Sequence, residues 1–286
     1  MGLPEDLFVT ERNASCDTAA VLFLERPLEA TQETDFGKLI NRVPEVTLVF
    51  WILKILATTV GETAADVLST TFKLGTVGTS YVMGALLLIS LAFQLRAKRY
   101  VPAIYWIVVV FISVVGTLIS DNLVDNLGVP LATTALIFAI ALIAVFVFWY
   151  LSERTLSVHT IYTPKRELFY WAAILFTFSL GTSAGDLLSE RLGLGYALSA
   201  VMFGAAIAII YATYRFGVMN EVLAFWLAYI LTRPLGASMG DLLTAAKGQG
   251  GLGIGTIPVS VVFLLIIVVL VIHLDREEKK KARLQP

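Results

Sequence analysis

From Val46 onward the chain alternates between long apolar runs and short polar connections. Eight runs can be counted, near residues 46–69, 79–95, 102–124, 131–151, 168–189, 196–214, 222–245 and 257–274. Each matches, as a helix, a hydrocarbon core of about 30 Å, and in lipid only helices and closed barrels satisfy their own backbone. Barrel strands would alternate apolar and polar side chains, whereas these runs are continuously apolar. The pattern predicts an all-α integral membrane protein with eight transmembrane helices. Composition agrees, because 57% hydrophobic residues, 15% charged residues and a mean hydropathy of +0.81 exceed what a soluble domain can bury.

The odd-numbered runs carry polar residues in a fixed register. Trp51, Gly61, Ala65, Asp66 and Leu68 recur as Trp106, Gly116, Ser120, Asp121 and Leu123, then as Trp171, Gly181, Gly185, Asp186 and Leu188, and finally as Trp226, Gly236, Gly240, Asp241 and Leu243. The shared motif is W-x9-G-x3-[AGS]-D-x-L. Each copy is followed by a Leu-Gly pair that suits a left-handed helix stop and then by a plainer span; Gly84 and Gly204 match between the two halves. The repeating unit is a two-helix hairpin, present near residues 46–100, 101–155, 166–220 and 221–274. Two spans per unit make all copies enter the bilayer from one side, so the fold is expected to be pseudo-symmetric about the membrane normal.

This arrangement resembles a family of bacterial membrane proteins, described as membrane-anchored proteins, with four tandem two-span repeats of unknown function. The resemblance covers about residues 42–275 and implies the eight-span architecture, with no established activity.

Charge sets the expected orientation. The connections on one side hold Arg96, Lys98, Arg99, Arg154, Lys165, Arg166 and Arg215, and those on the other only Lys73, Arg191 and Lys247. By the positive-inside rule both termini are cytoplasmic, in the inner membrane of a bacterium. Residues 1–45, with nine acidic and four basic side chains, read as a polar cytoplasmic extension, with a short helix or hairpin around "AAVLFLERPL" and no cleavable leader. Residues 275–286 read as a basic cytoplasmic tail lying against anionic headgroups. Cys16 is the only cysteine and His159 and His273 the only histidines, which excludes a disulfide framework, thiolate metal sites and a bis-histidine haem.

The motif tryptophans, Trp51, Trp106, Trp171 and Trp226, are expected as interface anchors at one depth, joined by Trp149 in one belt. Each lies 15 residues before its aspartate, about 22 Å along a helix, which puts the carboxylates in the outer third of the bilayer. The small pairs, Gly61 with Ala65, Gly116 with Ser120, Gly181 with Gly185 and Gly236 with Gly240, read as helix-packing seams. Packing does not account for the aspartates. A carboxylate in hydrocarbon costs at least about 2.5 kcal/mol and turns toward protein, water or a partner. Four at one level, if they converge, need a cation or shared protons between them. Thr63, Ser69, Thr117, Asn122, Thr182, Ser183, Ser189, Ser238 and Thr244 cluster nearby, an all-oxygen set suited to a hard ion such as Mg²⁺, Mn²⁺ or Na⁺. The competing reading makes each Asp structural, accepting hydrogen bonds near a helix end. Asp125 and Glu190 fall at the outer rim.

Two charges break the fourfold pattern. Arg233 lies seven residues past Trp226 and is followed by Pro234, which is expected to weaken or kink its helix. Glu62 lies 11 residues past Trp51, about 6 Å further along the normal, so an Arg233–Glu62 ion pair linking the first and fourth repeats is expected as a gate or charge compensator. Lys54 is expected to snorkel to the surface. No enzymatic set emerges: "SAGDLL" and "SMGDLL" superficially suggest an intramembrane aspartyl protease, but the partner elements of that family are missing and four equivalent Asp fit a dyad badly. "GQGGLGIG", residues 248–255, lacks the Lys-Ser/Thr of a phosphate loop and reads as an external loop or lid.

The sequence thus points to a transporter or exchanger for a small hard cation, Mn/Mg/Na-like or proton-coupled, with Asp66, Asp121, Asp186, Asp241 and Glu62 as cation, metal or proton ligands. The alternative is a non-transporting scaffold or sensor. No organic cofactor is implied, a bound divalent cation is left open, and the expected partners are the ion and the bilayer, with no nucleic acid; homo-oligomerisation is left open.

Overall fold

The computed structural model describes residues 41–284. The short element expected around "AAVLFLERPL", like Cys16, lies outside the described residues. Eight long helices follow one another: α1 (Leu48–Asp66), α2 (Gly75–Arg96), α3 (Pro102–Asp121), α4 (Leu131–Glu153), α5 (Pro164–Asp186), α6 (Tyr196–Arg215), α7 (Glu221–Thr244) and α8 (Thr256–Leu284). All eight are long and apolar enough to cross a membrane, and no strand occurs among the described residues. The chain is a multi-pass, all-helical membrane protein.

Local chemistry starts the motif-bearing helices. The side chains of Thr47, Thr163 and Asn220 accept from the backbone N–H of Phe50, Arg166 and Leu223, capping α1, α5 and α7, and Pro102 opens α3 with a fixed helical φ. At the other end, α1, α3 and α5 each widen into one π-helical turn directly after the motif aspartate: Val67–Thr71, Asn122–Asn126 and Leu187–Arg191. The Leu-Gly stops behave as expected, with Gly75, Gly128, Gly193 and Gly253 at φ of 67–71°. Helix α7 has no π turn and runs through Pro234 without interruption. The Pro234 ring sits against Gly181 and Gly185 of α5, whose missing side chains make room for it.

Burial divides the helices into two layers. In α1, α3, α5 and α7 about two thirds of each span is buried (61–67%), against 11–22% in α2, α4, α6 and α8. The inner four form a closed ring, α1 against α3, α3 against α5, α5 against α7 and α7 against α1. The outer four follow an offset order: α2 packs along α3, α4 along α5, α6 along α7, and α8 closes the circuit on α1. The hairpin is therefore the unit of sequence but not of packing, since each outer span lies mainly on the inner helix of the next copy. The physical reason lies in the side chains. Outer spans present Leu, Ile and Val around most of their circumference, which suits acyl chains, whereas the inner spans carry the small residues that let backbones approach.

Two sequence expectations about the ends are corrected. The segment assigned to the polar extension contributes its last residues to the fold: Asn41 and Val43 are buried, Asn41 Nδ2 donates to Val158 O at 3.1 Å, and the backbone N–H of Arg42 donates to Ile161 O. The tail begins as a continuation of α8, which stays helical to Leu284.

The interface-anchor reading of the tryptophans is also corrected. Trp106, Trp171 and Trp226 are at most 4% exposed and Trp149 is fully buried; only Trp51 keeps partial exposure. With Phe50, Tyr105, Tyr170, Phe225 and Tyr229 they form a continuous aromatic cluster with ring centroids 5.1–6.4 Å apart. The indoles face inward because the bundle's axis, rather than the bilayer surface, offers edge-to-face partners. They fill one end of the inner ring.

Candidate functional site

The motif glycine decides how the inner helices meet. A Cβ on Gly61 would lie within 3 Å of Ser113, on Gly116 within 3 Å of Phe178, on Gly181 within 3 Å of Arg233, and on Gly236 within 3 Å of Thr58. These four partners occupy one register, seven residues past each motif Trp, so every copy lays its glycine on the next copy's seventh position. Gly185 and Gly240, one turn later, would meet neighbours only at 3.5 Å or more. The first glycine of each seam is thus the close contact.

With glycine turned to the neighbouring helix, the aspartate five residues on turns elsewhere, about 140° around the helix. All four motif aspartates line one cavity of ≈ 480 Å³ together with Glu62, and Asp125, Glu190, Tyr196, Thr244, Gln249 and Thr256 are among the other residues of its wall. That volume exceeds the ~30 Å³ of a single water by an order of magnitude. The convergence that the sequence left open is present. Asp66, Asp121, Asp186 and Asp241 are half-buried, whereas Asp125 and Glu190 are exposed at the rim, where Tyr196 donates to Glu190 at 3.2 Å. Among the described residues no three Asp, Glu, His or Cys side chains stand close enough to grip one metal ion. The quartet surrounds an open space rather than forming a ready coordination sphere.

Most of the predicted hydroxyl inventory is used elsewhere. Ser69, Ser183 and Ser189 donate to carbonyls one turn back in their own helices, Asn122 donates to Ser80 Oγ and Leu118 O, and Thr63 accepts from Ser260 of α8 at 2.7 Å. Of the group named from sequence, only Thr244 joins the aspartates on the cavity wall. The "GQGGLGIG" stretch is pinned rather than loose: Leu252, Gly253 and Ile254 donate backbone hydrogen bonds to Leu242, Ala245 and Leu243 at the end of α7.

Below the cavity, toward the tryptophan end, sits Arg233. Its guanidinium is wholly buried and pairs with Glu62, Nη2 to Oε2 at 2.7 Å, as the spacing had led us to expect. The same Nη2 also donates to Thr182 Oγ1 at 2.9 Å and to Thr117 Oγ1, and Nη1 donates to Thr58 O at 3.1 Å. Glu62, Thr117 and Thr182 all stand 11 residues past their motif Trp. One level of three repeats therefore closes around the guanidinium that the fourth supplies, and Ala237 at the matching place in α7 leaves room. The two threonines were visible in the sequence only as nearby hydroxyls; their shared register with Glu62 was the signal that identifies them.

Lys54 does not snorkel. It is fully buried, and its Nζ lies 4.0 Å from the Phe178 ring centroid and 4.1 Å from that of Tyr229. Beyond it the aromatic cluster begins, with the Tyr105 and Tyr170 hydroxyls 2.5 Å apart. Sequence reasoning also missed a polar clamp at this end. Glu167, fully buried, accepts from Arg42 Nη1 at 2.8 Å and from Gln94 Nε2 at 2.9 Å. Tyr100, in the connection before α3, accepts from Trp106 Nε1 at 3.2 Å, and burial pushes its phenol above the ordinary range.

One family matches the chain four times, over residues 49–100, 104–155, 169–217 and 224–280, and its description is "Repeat of Unknown Function (DUF347)". No curated protein and no solved structure matches.

Proposed function

The chain belongs to the family defined by this repeat of unknown function, and because membership carries no activity we propose from the residues themselves that it is a transporter or exchanger for a small hard cation. The observation that carries this reading is the meeting of Asp66, Asp121, Asp186, Asp241 and Glu62 on one cavity. Carboxylates gathered inside a membrane protein are costly unless they serve a cation or a proton. Their loose spacing favours an ion that keeps part of its water, as Mg²⁺ and Mn²⁺ do, or protons themselves. The cation is cargo, and no bond-making chemistry is assigned.

In the proposed orientation, in a bacterial inner membrane with both termini cytoplasmic, the cavity faces outward and the aromatic cluster lies toward the cytoplasm. Arg233 then blocks the axis between them. A fixed guanidinium repels a permeating cation, and it must shift before cargo passes. Glu62 is its counter-charge, and occupancy or protonation of Glu62 weakens the hold on it. Rocking across the glycine seams supplies the movement, by analogy with other repeat-built transporters.

A non-transporting scaffold or sensor is the second reading, favoured by the dense aromatic packing that fills the tryptophan end. Purified protein in proteoliposomes separates them. Single Asp→Asn variants at the four motif positions are expected to abolish or strongly reduce uptake of Mn²⁺, Mg²⁺ or Na⁺, read with radiotracer or fluorescent indicator. Absence of flux for every ion with intact protein favours the sensor.

A further inference from the structure

Three residues past the motif tryptophans stand Lys54, Val109, Ile174 and Tyr229, all fully buried. Three of the four are ordinary interior side chains, and the fourth is an amine. Nothing in the packing requires it, since a methionine would fill the same volume without a titratable group. The Phe178 and Tyr229 rings lie parallel to within 5°, 6.3 Å apart, with the nitrogen against both faces. Among the described residues the Nζ has no hydrogen-bond partner, although an ammonium carries three donors.

The contrast with Arg233 is informative. Both side chains are fully buried in the inner ring, but Arg233 is anchored by Glu62, Thr58, Thr117 and Thr182. Among the described residues Lys54 has no paired anion and no acceptor, only aromatic faces. Those faces stabilise a desolvated cation, while burial without acceptors penalises the same charge. An amine held between opposed terms is one whose charge can be exchanged, which is what a fixed guanidinium cannot offer.

The surroundings supply a direction. On the aspartate side, Arg233 and Glu62 stand between Lys54 and the cavity. On the tryptophan side, the Tyr229 hydroxyl neighbours that of Tyr170 without completing a hydrogen bond, the Tyr170 and Tyr105 hydroxyls are 2.5 Å apart, and the Tyr105 ring meets Tyr100, 5.6 Å between centroids. Tyr229 and Arg233, both on α7, face Lys54 directly; Tyr170 on α5 neighbours Tyr229, Tyr105 on α3 pairs with Tyr170, Glu62 on its own helix pairs with Arg233, and α8, packed behind α1, carries no such group from Thr256 to Ile272.

We propose that Lys54 is an inner proton-binding site, distinct from the aspartate cavity and open toward the tyrosine cluster at the tryptophan end. One proton taken from water adds to the amine lone pair to give the ammonium and is later returned to water, with no change of oxidation state. The ammonium repels the guanidinium of Arg233 and drives it toward Glu62; the neutral amine lets it relax. This supplies the proton half of an exchange cycle and rests on the proposed function only for that coupling.

The test uses the full chain, ¹⁵N-labelled at the lysine side chains and reconstituted in lipid nanodiscs. The Lys54 nitrogen resonance is assigned by its loss in Lys54→Met, or in Lys54→Arg if the first variant does not fold. The expected result is a nitrogen that shifts reversibly between its amine and ammonium positions within the pH range over which the protein stays folded. A nitrogen fixed in one form across that range overturns the proposal. Flux in proteoliposomes reads the coupling: Lys54→Arg, which cannot release its proton, is expected to lose the pH dependence of cation uptake, and an unchanged pH profile overturns the coupling. If Lys54 titrates but Asp→Asn changes in the cavity leave uptake intact, the inner site stands and the assignment of the aspartates as the cation site falls.

Discussion

Gly181→Ala and Gly185→Ala place the same methyl group one turn apart on one face of α5, and the structure expects opposite results. At Gly181 the new Cβ would lie 2.5 Å from both Cβ and Cγ of Arg233 and 2.9 Å from Cδ of Pro234. Carbon atoms pack best at about 3.5–4.0 Å, so the shortfall is roughly 1 Å. Neither obstacle gives easily, because Cβ is fixed to the backbone and the proline ring is rigid. Either α5 and α7 separate, or the arginine turns and gives up its contacts with Glu62, Thr117 and Thr182. Overpacking of this kind costs about 1–3 kcal/mol, and each charge-assisted hydrogen bond lost adds about 1.5–3 kcal/mol. At Gly185 the nearest atoms stand at 3.5 Å, and the alanine gains up to about 1 kcal/mol of helix propensity. The two variants should therefore differ by at least about 2 kcal/mol. Thermal unfolding of the purified full chain in detergent, followed by circular dichroism with size exclusion to check dispersity, measures the difference. Equal midpoints for the two variants would refute the claim that the motif glycine, rather than its successor, sets the distance between inner helices.

Other expectations follow from the same geometry. Asp66→Asn, Asp121→Asn, Asp186→Asn and Asp241→Asn should each weaken cation binding, measured by isothermal titration with Mn²⁺ or Mg²⁺, whereas Asp125→Asn and Glu190→Gln at the exposed rim should change it little; equal losses at rim and quartet would argue against a defined site. Glu62→Gln and Arg233→Met each leave one buried charge alone and should destabilise by about 3–5 kcal/mol, the Arg233→Met value at the low end because the Glu62 carboxylate it leaves alone is 11% exposed. The double variant should recover much of that loss, and simple additivity in the thermal midpoints would deny the coupling. Trp171→Ala should cost about 3–5 kcal/mol as a core truncation, while Trp51→Ala, at the one partly exposed motif position, should cost clearly less in the same assay.

The repeat was legible because its residues are spaced by helix geometry. Trp, Gly and Asp at constant intervals on four apolar runs dictate four equivalent helices and put the carboxylates at one depth. The Arg233–Glu62 pair followed from rise per residue alone. What could not be read was the radial direction of side chains. An interval along one helix does not say whether a tryptophan faces lipid or its neighbours, and the belt expected at the interface is instead a packed interior cluster. Lys54 was assigned to the surface for the same reason: a side chain one turn from a span's end reaches water unless a ring of other helices closes over it, and that ring is a property of the assembled four. The π turns after Asp66, Asp121 and Asp186 left no compositional mark, since "VLSTT", "NLVDN" and "LLSER" share no residue at every position but one that also occurs in ordinary helix. Gln94 and Glu167 were invisible because the clamp they form with Arg42 joins segments far apart in the chain.

The offset order in which each outer span rests on its successor's inner helix has an evolutionary corollary. Four separate hairpins could assemble into the same circle by handing an arm to the next subunit, so joining them end to end changes no contact in kind. Fusion does change what chemistry the centre can hold. Identical subunits would have to place four arginines, four glutamates or four lysines around the axis at once, and none of those sets could be tolerated together. A single polypeptide can carry one of each, Glu62 and Lys54 in its first copy and Arg233 in its last, and so give a symmetric frame an asymmetric interior.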